Sequence, residues 1–198
     1  MNKLTKLLSY LIILLGVISC ETKDTIYSCD PEINKEIELR LAEIKLMSRS
    51  DIINRPMSVQ RAYFNAFSKE QRAEYWLSKI DESLKLPWSQ KEKDHITQIS
   101  TFIKNNKYIY ENKSYSDENT QEMIDLFIYK WKEYAKDSLS WEDKIINSLI
   151  GSGYKLKNKN GDLIINLEEA SSDLSRSETD YKCHCNKSAD YCGSLGCV

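Results

Sequence analysis

Apolar residues recur along most of this chain at intervals of three and four, the spacing of one helical face. Ile33, Ile37, Leu41 and Ile44 form the first such stripe, set against Glu36, Arg40, Glu43 and Lys45. Asp30-Pro31 opens the helix that carries it: Asp can cap the free amides, and Pro in the first turn gives up an N–H that has no intrahelical partner. Arg55-Pro56 breaks the chain, and Ser58 is placed to cap a short helix bearing Tyr63, Phe64 and Phe67. Ser68 to Gln71 reads as a capping box, followed by Ala73, Trp76, Leu77, Ile80 and Leu84 on one face and closed by Leu86-Pro87. Ser89 to Glu92 is a second box, with Trp88 positioned as a staple and Ile96, Ile99, Phe102 and Ile103 behind it. A polar, Asn- and Tyr-rich connection (105–117) leads to the longest predicted helix, lined by Met123, Ile124, Phe127, Ile128, Trp131 and Ala135. Ser140 and Asp143 are expected to cap one more, with Ile145, Ile146 and Leu149 inside and Gly151 and Gly153 at its end.

Beyond Gly153 the period changes from helical to alternating. Tyr154, Leu156, Leu163, Ile165 and Leu167 alternate with polar residues around Asn160-Gly161, which predicts a hairpin with a type I′ turn that must lean on the helices. Residues 170–182 are Ser-rich and acidic with a single aliphatic side chain, so a linker is expected there. The predicted fold class is mainly α: a helical domain with a terminal hairpin (30–168), a linker (169–182) and a Cys-rich tail (183–198).

The start of the chain has a different character. Lys3 and Lys6 precede an apolar run from Leu7 to Ile18, shorter than the roughly 20 residues a membrane-spanning helix needs. The run closes on Leu15-Gly16-Val17-Ile18-Ser19-Cys20, with an aliphatic residue at minus three, a small one at minus one and then Cys. This resembles the lipobox of bacterial lipoprotein signal peptides, which implies cleavage of residues 1–19, acylation of Cys20 and a tether over 20–29. The alternative is an ordinary secretory signal, after which Cys20 would form a disulfide. The expected location is the cell envelope, lipid-anchored to a membrane, with the outer membrane or cell surface favoured. Loss of the leader removes two lysines and moves the formal charge from −2 to −4. Such a mixed, mildly acidic chain offers no electrostatic case for nucleic acid.

Four of the six cysteines, Cys183, Cys185, Cys192 and Cys197, crowd the last sixteen residues. Outside the cytoplasm disulfides persist, and a segment with few apolar side chains cannot fold by burial, so two bridges are expected here. Three connectivities are possible; pairing Cys183 with Cys185 closes a tight ring, which favours the crossing or nested alternatives. Four thiolates and His184 could instead hold zinc, but the C-x2-C spacing of structural zinc sites is missing and the compartment favours oxidation, so no metal or cofactor is expected. Cys29 is left over once Cys20 is acylated, either free or tied to another cysteine.

Enzymatic fingerprints are absent from the sequence: no G-x-S-x-G, H-E-x-x-H, phosphate-binding or dinucleotide pattern occurs. The histidines are His95 and His184, and His95 falls on a charged helical turn. The four tryptophans lie in register with aliphatic stripes or staples and read as core rather than as a sugar platform. Leu86-Pro87-Trp88 and Leu139-Ser140-Trp141 echo each other as helix exits, without the extent of a repeat.

Gln60 to Ser68 (Q-R-A-Y-F-N-A-F-S), Glu70 to Trp76 (E-Q-R-A-E-Y-W), Leu86-Pro87-Trp88 and the Cys-rich end together resemble the bacteriocin fulvocin C-related proteins, small exported proteins of Gram-negative bacteria. The resemblance implies antimicrobial chemistry carried by the Cys-rich part, which maps onto Cys183, Cys185, Cys192 and Cys197. Two non-enzymatic expectations follow: a bacteriocin-like lipoprotein acting through its tail, or a non-toxic surface lipoprotein whose tail recognises a protein or cell-surface target.

Overall fold

The structure, a computed structural model, describes residues 26–111 and 117–165. Its elements are α1 (Pro31–Leu39), α2 (Leu41–Ile44), α3 (Arg49–Ile52), α4 (Met57–Ala66), α5 (Lys69–Ser83), α6 (Gln90–Asn105), a 3-10 turn (Lys107–Tyr110), α7 (Glu118–Leu139), α8 (Asp143–Ile150), β1 (Lys155–Leu156) and β2 (Leu163–Ile164). The protein is mainly helical, with one small antiparallel two-stranded sheet. None of the described helices is long and apolar enough to cross a membrane.

Helix α5 organises the body. It touches α3, α6, the 3-10 turn and β1, and buries residues on several sides, including Ala73, Tyr75, Trp76, Leu77 and Ile80. Around it α1, α2 and α3 pack on α4, and α6, α7 and α8 follow one another. The core joins Ile33, Ile37 and Ile44 to Ile96, Ile99 and Ile103 and to Ile124, Ile128, Ile146 and Leu149. Each such side chain contributes about 1.5–3 kcal/mol when fully buried.

The start signals are largely as read. Asp30 accepts from the amides of Glu32 and Ile33. Ser68–Gln71 and Ser89–Glu92 are reciprocal capping boxes in which the Ser oxygen accepts from the third amide and the Gln or Glu side chain accepts from the Ser amide. Three details differ. The first stripe is carried by two helices, because Arg40 leaves helical geometry and turns its guanidinium to Glu36, Glu43 and the Tyr63 hydroxyl. Ser58 lies inside α4, which is preceded at the capping position by Pro56 and has no side-chain cap. Ser140 does not cap α8 but closes α7 in the left-handed conformation, with the Trp141 amide donating back to Ala135 at 3.0 Å, and Glu142 precedes α8.

The hairpin is smaller than its alternation suggested. Lys155 pairs with Ile164 and Leu156 with Leu163. Asn160-Gly161 is not a two-residue type I′ turn, since only Gly161 has positive φ and the loop runs from 157 to 162. Asn158 replaces that turn chemistry: its Oδ1 accepts from the amides of Asn160 and Asp162, and its Nδ2 donates to the Asp162 carboxylate. Leu156 is buried, but Ile164 and Ile165 remain 48% and 38% exposed, so Ile165 does not point inward as expected.

Candidate functional site

Cys20, Cys183, Cys185, Cys192 and Cys197 lie outside the described residues, as do His184 and the linker. Cys29 is described and is disulfide-bonded. The residues before it are fastened to the body. The amides of Tyr27 and Ser28 donate to Asn34 Oδ1, and Asn65 Nδ2 donates to the Tyr27 carbonyl at 2.9 Å. The expected tether therefore meets the fold a few residues before Asp30.

Two polar clusters are buried inside the body, one around Lys79 and one around His95. In the first, Lys79 of α5 is 0% exposed. Its Nζ donates to the carbonyls of Ser148 and Ser152, at the C-terminal end of α8 where carbonyls lack helical partners. Arg49 Nε donates to the Gly153 carbonyl at 2.8 Å, and its Nη1 to Glu82 at 2.8 Å. Glu82 also pairs with Lys155 at 3.0 Å. Burial opposes the Glu82 charge, yet the hydrogen bonds from Lys155 and Arg49 hold its carboxyl below the usual range. Tyr75 donates to Gln60, which in turn donates to the Ile53 and Arg55 carbonyls, and burial pushes the Tyr75 phenol up to about 12. Burial, then the Arg49 charge, lowers the Lys79 amine to about 7. Such an amine is nucleophilic in the open, but here it is enclosed and its donors lie on backbone oxygens. The cluster fastens the segment 148–155 to α3 and α5.

Gly153 shows how tight that fastening is. A Cβ at this position would lie 1.5 Å from the Tyr75 hydroxyl. Gly153→Ala is expected to displace Tyr75 from Gln60 and lower stability by about 1–3 kcal/mol in chemical denaturation, the usual range for overpacking. A variant as stable as the parent would show that the contact relaxes freely.

The second cluster corrects the reading of His95. Rather than sitting on a charged turn, it is 1% exposed and stacked on Trp131, with ring centroids 4.6 Å apart and planes 8° apart. Tyr134 and Trp141 complete the enclosure. His95 Nε2 lies 3.1 Å from the Trp131 carbonyl, while Trp131 Nε1 donates to the His95 carbonyl at 3.0 Å, a reciprocal tie between α6 and α7. Burial lowers the imidazole pKa, which favours the neutral ring. Trp88 packs on Trp141 and donates from Nε1 to the Ser83 carbonyl, so all four tryptophans belong to the core as expected.

Two concavities adjoin these clusters. An apolar void of about 40 Å³ lies between α5, α6 and α7 against Trp76, Ile99, Phe127 and Trp131. It is smaller than the roughly 150 Å³ that admits benzene in an engineered core, and its lining offers water almost nothing to bond. An open groove of about 370 Å³ runs along the outside of α6 past Asp94, Thr97, Gln98, Thr101 and Asn105. The two threonine hydroxyls there donate back to the Lys93 and Thr97 carbonyls. No cluster of three or more potential metal-ligating side chains occurs among the described residues. No protein family, curated protein or solved structure matches the chain.

Proposed function

We propose that this is an exported, lipid-anchored, bacteriocin-like protein in which the helical body is a support and the Cys-rich tail is the acting surface. The observation that carries the reading is the segregation of groups along the chain. The lipobox cysteine lies at one end and Cys183, Cys185, Cys192 and Cys197 at the other, while the body between them commits Arg49, Arg72 and Lys79 to its own carbonyls. Oxidation of the tail closes short loops. One disulfide around a loop of about 15 residues removes roughly 3 kcal/mol of unfolded-state freedom in the chain-entropy model. A tail shaped in this way presents His184, Lys187, Asp190, Tyr191 and Leu195 with a smaller ordering cost on binding.

The test compares oxidised protein, reduced protein and a variant with the four tail cysteines replaced by serine, each applied to neighbouring bacterial strains. Killing by the oxidised form alone is the expected result, and equal killing by all three would remove the tail from the mechanism. A non-toxic binding role on the cell surface is the second reading, favoured by the exposure of Leu126 and Tyr129 on α7. Cell-surface binding without killing would select it.

The anchor is tested separately. Cys20→Ser is expected to move the protein from the membrane fraction to the soluble fraction while its helical circular dichroism stays unchanged, since α1 begins eleven residues later at Pro31. Membrane retention of this variant would refute acylation as the anchor.

A further inference from the structure

The fastening at Lys79 has an unusual balance of donors and charges. A neutral amine carries two N–H groups and an ammonium three. Among the described residues the Lys79 nitrogen meets two acceptors, the Ser148 and Ser152 carbonyls, which match the neutral form. The cationic groups around it are already ahead of the anionic ones. Arg49 approaches from α3, Glu82 and Tyr75 belong to α5, and Tyr154 and Lys155 come from the start of the hairpin. Glu82 is the one carboxylate of this set, and it is divided between Arg49 and Lys155. Arg49 Nη2 is itself buried with no partner among the described residues. A protonated Lys79 would add a third cation and a third donor to a place that already holds one unmatched donor.

We propose that Lys79 is a proton-sensitive latch. As a neutral amine it holds the end of α8 and β1 against α5; as an ammonium it loosens that segment. The carbonyls at the α8 terminus favour a cation, but burial and Arg49 outweigh them, in keeping with an amine lowered to about 7. The sign follows from proton counts. An unfolded lysine holds its proton up to about pH 10.4. Between about 7 and that value the unfolded chain binds more protons than the folded one, so stability rises with pH, and below about 7 the cost of the buried charge is felt in full. Tyr75 and Glu82 are shifted away from this range in opposite directions, so neither changes charge across neutral pH.

The latched segment leads through the hairpin into the C-terminal residues. A loosened latch would therefore weaken the mooring of the tail in acid surroundings. This consequence rests on the reading of the tail as the acting surface, whereas the latch does not.

The experiment is hydrogen exchange on the full-length protein at about pH 6 and about pH 8.5, corrected for intrinsic rates. Amides of 149–156 are expected to be at least tenfold better protected at the higher pH, with α1 and α4 nearly unchanged. Lys79→Gln, which keeps two amide donors and cannot titrate in this range, is expected to abolish the difference. Because that variant could fail to fold, the ¹³Cε resonance of Lys79 in the unmodified protein provides a second measurement, with an expected midpoint near 7. Protection that does not vary with pH, loosening spread equally over all helices, pH dependence retained in Lys79→Gln, or a lysine midpoint above about 9 would each overturn the latch. Because none of these readouts involves killing, a failed latch and a failed bacteriocin reading remain distinguishable.

Discussion

Trp131→Ala should lower the stability of the body by about 3–5 kcal/mol, the range for deleting a large buried aromatic side chain. The residue is buried in the middle of α7 and does three things at once. Its ring stacks on His95 and meets Trp141 edge-on. Its Nε1 satisfies the His95 carbonyl, which would be left without that donor in the alanine variant. It also borders the apolar void of about 40 Å³, so deletion enlarges an existing gap. The cost of such a gap grows with the volume that fails to collapse. Urea denaturation is the measurement, and a fall in melting temperature on the order of 10 °C is expected, at about 2–4 °C per kcal/mol for a domain of this size. A loss below about 1 kcal/mol would mean that α6 and α7 close over the space, contrary to the rigid tie described here.

Arg72→Ala should have a comparable effect by a different route. The Arg72 guanidinium donates to the Phe64 and Asn65 carbonyls at the end of α4 and to the Tyr110 carbonyl of the 3-10 turn. Those carbonyls sit at helix ends; the Phe64 oxygen keeps the Phe67 amide, whereas a carbonyl left unsatisfied in the interior costs about 1–3 kcal/mol, and the losses do not add fully. A total of about 3–4 kcal/mol is expected in denaturant titration, with faster hydrogen exchange concentrated at residues 64–67 and 107–111. Arg72→Lys should recover less than half of the loss, because one ammonium cannot reproduce the planar fork that serves three oxygens. Full recovery by lysine would show that charge alone matters at this site.

Buried polar side chains such as Arg72 mark where local pattern determines the fold and where it does not. Asp30, Ser68 and Ser89 were legible as helix starts because a cap needs only its own side chain and the next three amides. Trp76, Ile80, Ile96, Ile99, Ile124 and Ile128 were legible as core because spacing places them on one face whatever that face meets. Arg72, Lys79 and His95 occupy the same faces: Arg72 lies four residues before Trp76, Lys79 three after it, and His95 four before Ile99. That spacing was a usable signal. It was overridden by the ordinary rule that charged side chains lie outside, which holds unless a buried partner awaits them. Here the partners are backbone oxygens of other elements, and no local pattern announces them.

The sequence by itself determined the helical character, the helix starts at Asp30, Ser68 and Ser89 and the burial of all four tryptophans, because capping and amphipathic spacing act within a few residues. The tertiary structure decided the rest. Arg40 turns toward Tyr63 and divides the first helix. Ser140 takes a left-handed conformation to bring Trp141 onto Trp88 and Trp131. Lys79 finds its acceptors 69 and 73 residues along the chain. In each case a polar group or backbone turn is stabilised by a partner remote in sequence, and the energy of such a pairing exists only after the chain has folded.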